Sequence, residues 1–137
     1  MAPRVVVDTG IIVSGALKAG IPRKIWLAFR ENHCRFVLSL PMFREVNEVL
    51  HRPKFHHLID GQMRKEIIRY LELFAEFVNP SETITLCRDP KDNKILEAAI
   101  AARADAIIAS DKDLKSMKTI RDIPILTPRE FMNFFKL

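Results

Sequence analysis

A chain of 137 residues with 22 Lys and Arg against 17 Asp and Glu, net charge +5, suits one domain. At this length about two-thirds of the unfolded surface is buried on folding without staples. The 48% hydrophobic and 28% charged content is that of an ordinary soluble globular protein, and the absence of any apolar run of about 18 residues excludes a membrane span.

The N-terminal apolar run is too short for a secretory signal. Cys34 and Cys87 are far apart and lack metal-ligand spacing, so both read as reduced core-type residues of a cytoplasmic protein. The basic balance favours anionic partners such as nucleic acid, the more so if the acids gather in one place.

In chain order, Val5-Val6-Val7 reads as a buried parallel strand. Gly10 and Gly15 follow, and Pro22 opens a helix through Ile25, Trp26 and Phe29. Phe36-Val37-Leu38 reads as a second strand. Pro41 then starts a helix with Phe43, Val46, Val49 and Leu50 on one face, broken at Pro53. Residues 62–78 form a long amphipathic pattern. Asn79-Pro80-Ser81 is a turn, and Thr83–Leu86 is the expected third strand. Asp89 to Asn93 opens a helix carrying Ile95, Leu96 and Ile100, Ala106–Ala109 is a fourth strand, and Leu114–Met117 a short helix. Ile123–Leu126 is a final strand, placed at an edge by Pro124. Thr127, Pro128 and Glu130 form a capping box before Phe131, Phe134 and Phe135. The alternation predicts a single α/β domain over 1–137, three-layer α/β/α around a parallel five-stranded sheet.

Ligands of open α/β sheets bind beyond the carboxyl ends of the strands. Asp8 directly follows the first strand, Glu45 lies a turn into the helix after the second, Asp92 opens the helix after the third, and Asp111 ends the fourth. All four are expected on one side of the sheet. Each alone has a plainer role: helix cap for Asp92 and Asp89, turn acid for Asp111 and Asp113, solvated helix residue for Glu45. Together they point to a divalent cation and phosphate chemistry.

These segments carry a resemblance. VVVDTGIIVSGAL, FREVNEVLHRPKF, RDPKDNKILEAAIAARADAIIASDKDL and IPILTPREFM are similar, in order, to a PIN domain, in particular the stand-alone prokaryotic group described as toxin components of toxin–antitoxin pairs. The resemblance implies a sheet in the order 3-2-1-4-5 and a Mg2+- or Mn2+-dependent endoribonuclease acting on single-stranded RNA. It implies an acidic site of Asp8, Glu45, Asp92 and Asp111, with Asp113 auxiliary. It also implies a cognate antitoxin and a homodimer, for which the apolar helices around 25–29 and 67–78 are candidate surfaces. The chain departs from the family pattern at Gly10, where Asn or Ser is common, and at Ala109, where Thr is; Ser110 beside it is the candidate replacement hydroxyl, and Thr9 a second auxiliary.

Lys112 and Lys115 beside Asp111, and Arg88 and Lys94 flanking Asp92, are candidate phosphate contacts, with a solvated helix face as the plainer reading. No aromatic interleaving of these bases suggests a stacking platform, and Trp26, Phe29 and Phe74 fit core spacing. His51, His56 and His57 read as a loop of surface histidines, or as a phosphate-contacting patch near Arg52 and Lys54, not as a zinc set. Rival readings are a phosphatase with Asp8 as nucleophile, a non-catalytic RNA- or protein-binding module, and a DNA nuclease.

Overall fold

The computed structural model describes residues 2–136. Strand β1 (Arg4–Val7) leads into helices α1 (Thr9–Leu17) and α2 (Ile21–Arg30). Strand β2 (Arg35–Leu38) leads into α3 (Leu40–Leu50), and a short 3-10 turn at Pro53–Phe55 into α4 (Gly61–Phe74) and β3 (Glu76–Phe77). A second 3-10 turn, Pro90–Asp92, opens α5 (Asn93–Ala102). Strand β4 (Ala106–Ile108), α6 (Lys112–Met117), β5 (Thr119–Ile120), β6 (Ile123–Leu126) and α7 (Pro128–Phe134) complete the chain. Among the described residues the sheet has six strands in the order β3-β2-β1-β4-β6-β5, between helical layers.

The valines of β1 form the centre. Val5 pairs with Phe36 on one side and Ala106 on the other, and Val5, Val6 and Val7 are fully buried, as β-branched residues covered on both faces should be. The expected order holds when β6 is taken as the fifth strand, and every pairing except β5 with β6 is parallel.

Three expectations need correction. The third strand is Glu76–Phe77, paired with Val37 and Leu38, and α4 stops at Phe74, short of Val78. Residues 83–86 form no strand. They alternate as a strand would, but only Ile84 is buried there, and its N–H donates to Glu97 Oε2 at 2.9 Å, which ties the segment to α5 instead of to a sheet edge. The strand β6 is not at the edge, because β5 pairs with it antiparallel. The N–H that Pro124 lacks is not missed: Ile125 N–H reaches the Lys118 carbonyl at 2.8 Å. Helix α1 covers Gly10 and Gly15, a stretch for which the sequence pattern predicts no element.

Phe29 stacks on Phe36 with centroids 4.2 Å apart, and Trp26 and Tyr70 meet that pair edge-on or tilted, which ties α2, β2 and α4 together. Phe74, expected in the core, is exposed.

Gly15 sets the approach of α1 to α2. A Cβ there would stand 2.5 Å from the Pro22 carbonyl oxygen and 3.1 Å from the Trp26 Cβ, so a side chain at this position forces two backbones apart. Gly15→Ala is expected to destabilise the fold by roughly 1–3 kcal/mol, read by urea unfolding; wild-type stability would mean that the α1–α2 contact is slack.

Candidate active site

Asp8 ends β1 and caps α1. Its Oδ1 accepts from Ile11 N–H at 2.8 Å and its Oδ2 from Ser110 N–H at 3.1 Å. The carboxylate therefore joins the first helix to the end of β4. Burial raises its pKa, the two N–H bonds oppose this, and the charges of Asp111 and Glu45 raise it further.

Glu45 lies on α3, facing Thr9 and Lys94. The Thr9 hydroxyl donates to Oε1, and Lys94 Nζ sits 2.6 Å from Oε2. Burial alone would raise the Glu45 carboxyl, but the bonds from Lys94 and Thr9, with the charges of Lys94 and Lys91, hold it below the usual carboxylate range.

Asp92 occupies the N-cap position of α5, yet its side chain makes no capping bond. Asp89 does cap, accepting from Lys91 N–H at 3.0 Å, as expected of it. The plain reading of Asp92 as a cap is thus removed. Its pKa is pushed up to about 6, by burial first, then by Asp111 and Asp89, against Lys94 and with Asp8. Asp111 caps α6, its Oδ1 accepting from Asp113 N–H at 2.7 Å and Leu114 N–H at 3.3 Å. Asp113 faces Arg88 at 3.5 Å. The half-buried Cys87 thiol is raised by desolvation and by Asp92, Asp111, Asp89 and Asp113, a second sign that negative charge is concentrated here.

A cleft of about 940 Å3 opens beside these groups, and Asp8, Asp111 and Asp113 are not among the residues lining it. Glu45, Asp92 and Thr9 line it, and Lys18, Arg52, Lys54, His57 and Lys91 give it a basic wall. Sequence reasoning missed Lys18, because only the fold brings α1 to the same opening as the turn after α3, whereas Arg52 and Lys54 lie where it placed an alternative phosphate-contacting patch. It also missed Phe55, which lines the cleft with Lys54 Nζ 5.1 Å from its ring centroid. Lys112, Lys115 and Arg88 are not among the cleft-lining residues, and Lys94 is turned to Glu45. Gly10 lines the cleft, and a Cβ there would meet Asp8 Oδ1 at an ordinary 3.7 Å, so the departure from Asn or Ser is not imposed by space. Ala109 is buried, and Ser110 serves Asp8 through its backbone N–H.

Among the described residues no three His, Cys, Asp or Glu side chains form a ready-made metal cage. The donor set fits Mg2+ or Mn2+ nonetheless. Asp8, Asp92 and Asp111 offer hard oxygen ligands, and the charge of Asp111 raises the carboxyls of Asp8 and Asp92; Mg2+ keeps several waters and takes few carboxylates.

Because the folded-state value of Asp92 lies above the ordinary carboxylate value of 3.8, the folded protein holds that proton more tightly than the unfolded chain. The stabilisation is full below 3.8 and is lost as pH rises through about 6. Asp92→Asn is therefore expected to raise the metal-free melting temperature at pH 7.5 by roughly 2–5 °C, after discounting for partial exposure, and to leave it unchanged near pH 3. An equal shift at both pH values would show that charge is not the cause.

The PIN domain family matches residues 4–113, a stretch that contains Asp8, Glu45, Asp92 and Asp111. An uncharacterized protein of Methanocaldococcus jannaschii is 31% identical over 146 residues, spanning 97% of this chain and 92% of that protein. A chain of the crystal structure of FitAcB from Neisseria gonorrhoeae superposes with a TM-score of 0.52 at 14% identity, covering 91% of this chain and 98% of that one, a likeness of fold. With strand order, acid placement and family match in agreement, this chain belongs to the PIN domain family.

Proposed function

We propose that this protein is a Mg2+- or Mn2+-dependent endoribonuclease cleaving single-stranded RNA, and the toxin of a toxin–antitoxin pair. The observation that carries the reading is Asp92. It lines the cleft, caps nothing, and is pushed up to about 6 largely by burial and the neighbouring acids. A carboxylate kept at that cost without a structural bond points to a cation.

Asp8, Asp92 and Asp111 are the residues that would hold the ion. When bound, a divalent cation supplies Lewis-acid stabilisation of the phosphate and activation of water. Glu45, kept ionised by Lys94 and Thr9, accepts a hydrogen bond from the attacking water and orients it. The water oxygen adds to phosphorus and releases a proton to solvent, the bond from phosphorus to the leaving oxygen breaks, and that oxygen takes a proton from solvent. Lys18, Arg52 and Lys54 hold flanking phosphates as point charges or forks, and Phe55 offers a face to a base.

The partners in this reading are RNA, a cognate antitoxin over the cleft, and a second copy of the chain, in the cytoplasm; no described helix is long and apolar enough to cross a membrane. The exposed Leu73 and Phe74 of α4 and Leu27 of α2 supply apolar surface for the dimer, whereas Ile25, Trp26 and Phe29 are buried. Sedimentation should give a dimer that Leu73→Asp converts to monomer; a wild-type monomer at tens of micromolar would remove this partner.

Single-stranded RNA incubated with Mg2+ or Mn2+ should be cut by the wild type, and Asp92→Asn or Asp111→Asn should lose at least about 100-fold in rate. Paired Arg52→Ala and Lys54→Ala should weaken RNA binding and flatten its salt dependence by roughly one to two contacts. Growth arrest on expression, abolished by Asp92→Asn, is what the toxin role requires. Metal binding with no cleavage of any RNA would favour a binding module, and cleavage of DNA alone a DNA nuclease.

A further inference from the structure

The sequence makes Lys94 a candidate phosphate contact and Glu45 a member of the acidic site. The fold joins the two. Lys94 stands in the first turn of α5, two residues beyond Asp92, and its side chain is only 19% exposed. One ammonium proton goes to Glu45 Oε2 at 2.6 Å and another to the Lys91 carbonyl. The other Glu45 oxygen takes the Thr9 hydroxyl. Both oxygens of Glu45 are thus engaged by side chains of the protein, while Asp92 makes no capping bond.

A fixed ammonium at that distance fills the space that a dication on Glu45 would need and repels it. The surroundings divide accordingly. Positive charge from Lys94 and Lys91 faces Glu45, whereas at Asp92 the negative charges of Asp111, Asp89 and Asp8 outweigh that of Lys94.

We infer that Lys94 is a built-in counter-cation occupying the place of a second metal ion: this chain takes one divalent ion, on the Asp8, Asp92 and Asp111 side, and Glu45 is a positioning residue and not a metal ligand. The inference rests on the metal-dependent reading above and deepens it. It accounts for Thr9 as well, whose hydroxyl fixes the second Glu45 oxygen so that the carboxylate faces the cleft in one orientation.

The test is Mn2+ titration of the full chain by calorimetry, with stoichiometry checked by the paramagnetic resonance of free Mn2+, on folded variants verified by melting. Wild type should bind one Mn2+. Glu45→Gln should keep its Kd within about threefold, whereas Asp92→Asn should weaken it by about tenfold or more. Lys94→Met, which frees a Glu45 oxygen and removes the ammonium, should bind a second Mn2+. Two ions on wild type, a loss in Glu45→Gln equal to that in Asp92→Asn, or a Lys94→Met protein that still takes one ion, each overturns the inference while leaving the metal reading intact. Wild type that binds no Mn2+ at millimolar concentration overturns the metal reading and the inference with it.

Discussion

The Asp8 carboxylate sits where the first strand ends, and two backbone N–H groups from distant parts of the chain converge on it. Ile11 N–H belongs to the first turn of α1, and Ser110 N–H follows β4, 102 positions away in sequence. Burying a charge is costly unless it is hydrogen-bonded, and these bonds are what allow an acid so close to the centre of the sheet. They also tie the end of β1 to the end of β4, so Asp111, next to Ser110, is held near Asp8. The cluster depends on this joint.

Concentrated negative charge then needs an answer, and the protein gives two different ones. Around Glu45 the answer is covalently its own: Lys94, Lys91 and the Thr9 hydroxyl lower the carboxyl and keep it ionised. Around Asp92 the charge of Lys94 is outweighed by burial and by Asp111 and Asp89, and the carboxyl rises to about 6. The two acids, near neighbours in one cleft, are driven in opposite directions. Such a split between titratable groups is how one site assigns different roles to chemically similar side chains.

The cleft is polarised in the same way. Acids line one part, and Lys18, Arg52 and Lys54 line another, so the field across the cleft changes sign from one side to the other. Gly15, by letting α1 approach the Pro22 carbonyl, sets the position of α1 and with it Thr9, Gly10 and Lys18. A packing contact outside the site thereby shapes one side of its mouth.

Much of this was legible in residues alone. Three valines followed by an acid read as a buried strand end, and the period of α3 and α5 was clear, so the acids fell on one sheet edge by topology. What was not legible had physical causes. Residues 83–86 alternate like a strand, but the Glu97 side chain takes the Ile84 N–H, and a side chain that far along the chain leaves no local signal. The two-residue β3 and β5 are too short to show a period. Lys94 looked like a solvated base because its partner lies 49 positions back on another helix. Asp92 looked like a cap because position alone suggests capping, and only the backbone path shows that no N–H is turned toward it. The sequence by itself determined the element types, the parallel sheet and the side on which the acids gather, because hydrophobic period and strand ends are local properties. The tertiary structure alone decided which acids are capped, which is countered by a lysine and which basic residues wall the cleft, because those depend on through-space charge and hydrogen bonds between segments that the sequence keeps far apart.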